Sequence, residues 1–179
     1  MDARAFHAMA LAYKVNALAC TAQAVLETGR FSSIPMTIHR NHWGIKCTGR
    51  WKRLGGKCFD ARTWEDLPSG PETKVTGFAS YPSNESAFRA YEDLITRLYP
   101  VCRDNTDNVW MFLSGLAGKW ATDKKYLPKL SKIVLEIGPE LGYSRDALVT
   151  AFNVAVERGL SGDKLNQIGE AIRNASMPG

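Results

Sequence analysis

The sequence predicts an α+β protein, a mostly helical core carrying one small β-hairpin lobe over a cleft. Three observations predict it. Phe6, Met9, Tyr13, Ala17, Cys20 and Ala24 recur at spacings of three and four, which is one face of a 3.6-residue helix. Residues 41–82 are instead rich in Gly, Pro, Thr and aromatics, with alternating stretches such as Lys74–Phe78 that suit a hairpin. From Ser83 onward, amphipathic segments preceded by capping residues return.

Taken in order, the first helix is expected over about residues 3–28, with Gly29 supplying the left-handed residue that ends it. Cys47 and Cys58 bracket a Gly- and Lys-rich turn at the entry to the lobe. Ser83-Asn84-Glu85-Ser86 caps a helix running to about Arg97. Asn105–Asp107 opens another that ends near Gly118, and Asp123 caps the next, which carries Tyr126, Leu130, Ile133, Val134 and Ile137. Gly138-Pro139 punctuates the chain, and two amphipathic helices are expected at about 145–158 and 162–174. At 179 residues, 45% hydrophobic and 23% charged, the chain has the composition of one globular domain with a real core.

Several function classes recede on composition. The formal net charge of +5 favours anionic partners such as cell-wall polymers or nucleic acid. Arg50-Trp51-Lys52-Arg53 is the nearest approach to a basic, aromatic-interleaved groove, too little to predict nucleic-acid binding. The four cysteines form no C-x-x-C pair, and His39 and His42 stand without further ligands, so neither metal nor cofactor is expected. Cys47 and Cys58 could close a short loop worth roughly 3 kcal/mol; four buried free thiols are the alternative. Ala17–Cys20 faintly resembles a lipoprotein cleavage site, but His7, Lys14 and Asn16 interrupt any apolar signal region. Neither a signal peptide nor a membrane anchor is expected, and the protein is expected to be a monomer.

One acid stands out. Glu27 falls three residues after Ala24 on the core-facing stripe. A carboxylate there is costly unless it has a partner or a cleft to open into. From the helix alone, an exposed tail to the stripe remains the alternative.

Four motifs bear on that choice: A-Q-A-V-L-E-T-G at Ala22–Gly29, N-H-W-G-I-K at Asn41–Lys46, F-A-S-Y at Phe78–Tyr81 and W-A-T-D-K-K-Y at Trp120–Tyr126. Their order and gaps resemble the bacterial peptidoglycan β-N-acetylglucosaminidases of glycoside hydrolase family 73, which include flagellar muralytic enzymes and autolysins. The resemblance covers roughly residues 10–137. It implies a lysozyme-like fold over residues 1–137, with the lobe at about 47–82, and leaves 138–179 as a helical extension packed on the same domain. It also implies that Glu27 is the general acid. The lobe offers Asp60, Glu65, Asp66 and Glu72 as a second carboxylate, with Glu85 just beyond. The family's T-x-E pattern, thirteen residues before the phenylalanine of F-x-x-Y, falls on Thr63-Trp64-Glu65 and implies Glu65; Glu72, at the expected hairpin tip, is the alternative. Asn41 and the backbone of Trp43-Gly44-Ile45 are expected to line the floor beneath Glu27, with core packing equally open to the Trp43 side chain. Tyr81 and Tyr126 match family tyrosines near the cleft. Trp120 replaces a family tyrosine, so stacking on a sugar face is expected there, because an indole cannot act as a phenolic acid or base. Arg30 also departs from the family pattern and is expected to reach the acidic peptide stem.

The implied activity is hydrolysis of the β-1,4 bond after N-acetylglucosamine in peptidoglycan, either inverting or assisted by the sugar's own N-acetyl group. A muramidase, a lytic transglycosylase, a phage endolysin and a catalytically silent wall-binding domain are the alternatives. The expected setting is an antibacterial effector of type VI secretion, delivered without a Sec signal into the periplasm of target bacteria. Its partners would be glycan strands and a periplasmic immunity protein that plugs the cleft.

Overall fold

The computed structural model describes the backbone of residues 1–67, 70–121 and 123–176, and the side chains of these residues except 35, 64–67 and 70–72. The expected first helix is two helices, α1 (Ala3–Ala10) and α2 (Ala17–Glu27). The break has a local cause. Asn16 caps α2, its side chain accepting from the Ala19 amide at 2.9 Å and donating to the Thr106 carbonyl at 3.0 Å, and this competes with helix continuation. Helix α2 is also not amphipathic as the stripe implied. Every residue from Ala17 to Val25 is buried, so α2 is the central helix, and its run of alanines lets α1, α7 (Val109–Leu116) and α8 (Tyr126–Ile137) close around it.

Short helices α3 (Ile34–Ile38) and α4 (Gly49–Arg53) flank the motif loop at 41–46. The lobe is one antiparallel hairpin, β1 (Lys57–Leu67) and β2 (Gly70–Ser80), with Phe59 opposite Phe78 and Glu65 opposite Glu72. Its root is anchored in three ways. Backbone hydrogen bonds run from Cys47 to Gly77 and from Ala79 to Ile45, each 2.9 Å. A disulfide joins Cys47 to Cys58, with Cα atoms 5.8 Å apart, which resolves the cysteine alternatives as one bridge plus two buried thiols, Cys20 and Cys102. The third anchor is Asn41, fully buried, whose amide accepts from the Ile45 amide and donates to the Ile45 and Ala79 carbonyls, all at 2.8 Å. Asn41→Ala strands these buried backbone groups at about 1–3 kcal/mol for each one left unsatisfied. The variant should lower the melting temperature by several degrees, read by thermal denaturation.

Helix α5 (Asn84–Leu98) begins with a capping box between Ser83 and Ser86, as the capping residues predicted. After α6 (Pro100–Arg103), Asn108 caps α7 rather than the 105–107 segment. Asp123 lies two residues before the cap position of α8; it accepts from the Lys125 amide and pairs with Lys129. Helices α9 (Arg145–Glu157) and α10 (Gly162–Ser176) pack on α7 and α8. Buried Trp110 and Asn108 donate to the Leu148 and Ala151 carbonyls at 2.8 Å, tying α7 to α9. No helix among the described residues is long and apolar enough to cross a membrane.

Candidate active site

Glu27 is the last residue of α2, and the chain turns sharply behind it. Gly29, Arg30 and Phe31 all adopt left-handed backbone, with φ of 56°, 59° and 61°. The Thr28 hydroxyl bonds the Ala24 carbonyl and receives the Phe31 amide at 2.8 Å, which holds this turn in place. Gly29 therefore ends the helix as expected, but two non-glycine residues share its conformation, which side chains adopt only when the surroundings fix them.

The Glu27 carboxylate is half-buried. Its Oε1 receives the Tyr126 hydroxyl at 2.8 Å. Its Oε2 faces Gly44, where a Cβ would lie 3.7 Å away. Burial pushes the Glu27 carboxyl above its ordinary range, and the Tyr126 hydrogen bond and the charge of Lys46 pull part of that back. Burial and the neighbouring Glu27 charge push the Tyr126 phenol up, so it stays a donor. Lys46 is held 4.5 Å over the Phe78 ring, and Phe78 closes the other side of Gly44, 3.9 Å from that Cβ position. The result is a protonatable carboxyl with one oxygen engaged from behind and the other against a residue without a side chain. A carboxyl with a raised pKa and one oxygen left facing open space has the chemistry of a general acid.

The structure thus joins Glu27, Gly44 and Tyr126. It places other motif residues differently. Trp43 is fully buried, its indole donating to the Cys20 carbonyl at 3.2 Å and stacked on Tyr91 with centroids 4.3 Å apart. The Trp43 side chain thus takes its core-packing alternative, and with Asn41 committed to the lobe anchor, the expectation that the Asn41 side chain lines the floor gives way to a structural role. Arg30 does not reach into the cleft; it forms a two-pronged ion pair with Glu136 on α8, at 2.7 Å to each oxygen. Tyr81 is nearly buried beside Trp51 and floors a groove of about 490 Å³ between α4 and α5, which starts at Ile45 and Lys46 and is rimmed by Arg50 and Arg97. A larger cavity of about 660 Å³, between α8 and α10, contains none of the motif residues. The side chains of Glu65 and Glu72 lie outside the described residues. Their backbones are cross-strand partners, with two further pairs between them and the hairpin turn, so nearness to the tip does not distinguish them. His39 pairs with Ser80 and His42 with Asn84, and no group of three or more His, Cys, Asp or Glu among the described residues could hold a metal ion.

Trp120 is partly exposed and packs against Tyr91 and Tyr99, centroids 5.7 and 5.6 Å away. Trp120→Phe should keep most of the activity. Trp120→Ala should weaken glycan binding by roughly 0.5–1.5 kcal/mol plus the lost burial and loosen the packing over Tyr91. Kinetics on solubilised glycan fragments check both, and a Trp120→Phe variant as inactive as one lacking the Glu27 acid would place the indole N–H in the chemistry.

Sequence reasoning named no role for Gln23, Tyr91 or Lys46. Gln23 could have been found, because it lies four residues before Glu27 and so on the same helix face. Tyr91 is distant in sequence and carried no signal.

Residues 3–138 match the glucosaminidase family, described as mannosyl-glycoprotein endo-beta-N-acetylglucosaminidase. No curated protein matches the chain. Among solved structures, a peptidoglycan hydrolase mutant from Sphingomonas sp. A1 is 32% identical with a TM-score of 0.60, over 73% of this chain and 87% of that one. The catalytic domain of the autolysin Auto from Listeria monocytogenes is 24% identical with a TM-score of 0.59, over 74% of this chain and 77% of that one. A C-terminally truncated glycoside hydrolase domain of FlgJ from Salmonella typhimurium is 23% identical with a TM-score of 0.58, over 77% of this chain and 99% of that one. The last two likenesses speak for the fold, a lysozyme-like helical core with a small two-stranded sheet.

Proposed function

This chain belongs to the glucosaminidase family, and on that premise we propose that it is a peptidoglycan hydrolase that cleaves the β-1,4 bond after N-acetylglucosamine with Glu27 as general acid. One observation carries the reading: a half-buried carboxyl, raised by burial, with Oε1 held by Tyr126 and Oε2 turned to Gly44. Oε2 delivers its proton to the glycosidic oxygen as the bond to the sugar's anomeric carbon breaks. The positive charge left on that sugar needs a second group, which activates water or stabilises the cation. Glu65, from β1, is our choice for it, carried across the cleft as the lobe closes.

Digestion of purified sacculi followed by mass spectrometry of the fragments tests the reading. New reducing-end N-acetylglucosamine supports it. A reducing-end N-acetylmuramic acid makes the enzyme a muramidase, an anhydro sugar makes it a lytic transglycosylase, and no release makes the chain a wall-binding domain.

The finer part of the proposal is an antibacterial effector that acts in the periplasm of a rival cell. The Cys47–Cys58 bridge supports work in an oxidising compartment. Expression directed to the periplasm should then be toxic and expression in the cytoplasm harmless, with equal toxicity in both counting against it. A monomer inhibited by a periplasmic immunity protein seated over Glu27 belongs to the same reading.

A further inference from the structure

Behind Glu27, three side chains from three helices form a single file of hydrogen bonds. The Tyr91 hydroxyl on α5 donates to Gln23 Oε1 at 2.6 Å. Gln23 Nε2 on α2 donates to the Tyr126 oxygen at 3.0 Å, and the Tyr126 hydroxyl on α8 donates to Glu27 Oε1 at 2.8 Å. Tyr91 and Gln23 are fully buried and Tyr126 is 4% exposed, so the file is shielded from bulk solvent.

A file of this kind can run in two directions. In the reverse one, Glu27 would donate its own proton to Tyr126, Tyr126 to the carbonyl of a flipped Gln23 amide, and the amide nitrogen to Tyr91. The far end decides between them. Among the described residues Gln23 is the one hydrogen-bond partner of the Tyr91 hydroxyl, and a phenol carries a single proton. In reverse, that proton would sit in the core without an acceptor, and a buried donor left unpaired is disfavoured. Tyr91 therefore makes Gln23 present its carbonyl inward and its NH₂ to Tyr126, which leaves the Tyr126 oxygen filled as an acceptor and its proton free only for Glu27.

We propose that Tyr91 and Gln23 are positioning residues that set the direction of this file, so that Tyr126 always donates to Oε1 and the transferable proton of Glu27 is confined to Oε2. In the opposite direction the acid proton would sit on the inward oxygen, out of reach of a glycosidic oxygen beside Gly44. The proposal rests on Glu27 being the general acid. Besides Tyr126, the charged group acting on Glu27 among the described residues is Lys46, which every variant below retains.

Tyr91→Phe removes the hydroxyl and keeps the ring against Trp43 and Trp120. With no proton to place, the reverse direction becomes accessible and stabilises the protonated carboxyl. A general acid works while protonated, so its rate falls as pH rises through its pKa; favouring the protonated form moves that alkaline limb to higher pH. The expected result is a kcat about ten-fold lower, KM unchanged because Tyr91 touches no ligand, and the alkaline limb of kcat/KM moved up by about 0.5–1 pH unit. Tyr126→Phe should move the limb the same way and lower kcat further. In the Tyr91→Phe/Tyr126→Phe double variant, the Tyr91 change should add nothing, since no direction is left to set.

An unmoved limb, or an equal Tyr91 effect in both backgrounds, means that Tyr91 is only a packing residue and overturns the proposal. Gln23→Met carries the same limb test should Tyr91→Phe fail to fold. Retained activity in Glu27→Gln would instead remove the general-acid reading itself, so the two failures are distinguishable.

Discussion

Glu27→Gln should reduce glycan release to near background while leaving the fold intact. The glutamine carbonyl can still accept the Tyr126 hydroxyl, and its NH₂ fits beside Gly44, where no side chain crowds it. What is lost is the proton, and loss of a general acid typically costs on the order of 10²–10⁴-fold. Stability should move the other way. Burial holds the folded pKa of Glu27 above its unfolded value, so the native state binds this proton more tightly. Stability from this group is then fully present below the unfolded pKa and declines as pH rises through the folded one. An uncharged amide escapes that decline, so at neutral pH the melting temperature should be unchanged or slightly raised. Dye release from labelled sacculi alongside thermal denaturation checks both halves. More than half the wild-type activity would remove Glu27 from the mechanism.

Glu65→Gln should be nearly as damaging, again on the order of 10²–10⁴-fold, whereas Glu72→Gln and Glu85→Gln should be mild. The ladder makes Glu65 and Glu72 cross-strand partners, so both stand at the same height on the lobe and only chemistry can separate them. The choice of Glu65 rests on the resemblance, because the family's T-x-E pattern, thirteen residues before the phenylalanine of F-x-x-Y, falls on Thr63-Trp64-Glu65. Glu85 is paired with Arg89 on the exposed face of α5, away from any such task. The same assay on the three variants decides. If Glu72→Gln is the inactive one, the second carboxylate comes from the opposite strand and the two-carboxylate scheme stands. If neither is impaired, the sugar's N-acetyl group serves as the internal nucleophile without help from this pair.

Breaking the Cys47–Cys58 bridge would bear on the same lobe. Among the described residues, the root of the hairpin is tied to the helical body by the 45–47 backbone pairs, the Asn41 amide and this disulfide. A loop of this size is worth roughly 3 kcal/mol when closed, so the lobe that carries Glu65 depends on the redox state of its surroundings.

By itself, the sequence determined the fold class, the hairpin lobe, most of the later helices and the acid at the end of α2, because each rests on local signals: apolar periodicity, capping residues such as Ser83, a glycine stop and the ordered motifs. It erred where a longer-range contact overrode a local one. The stripe from Phe6 to Ala24 implied one helix, but Asn16 finds the Thr106 carbonyl and breaks it in two. Asn41 and Trp43 stand in a motif with Gly44, yet a residue's place in a motif does not say whether it faces the cleft or the core; burial assigned them to the core. The state of Glu27 was the tertiary structure's decision alone. Its carboxyl accepts from Tyr126, 99 residues away, which is joined through Gln23 to Tyr91. A hydrogen-bond direction is a property of partners brought together by packing, and no spacing along the chain encodes it.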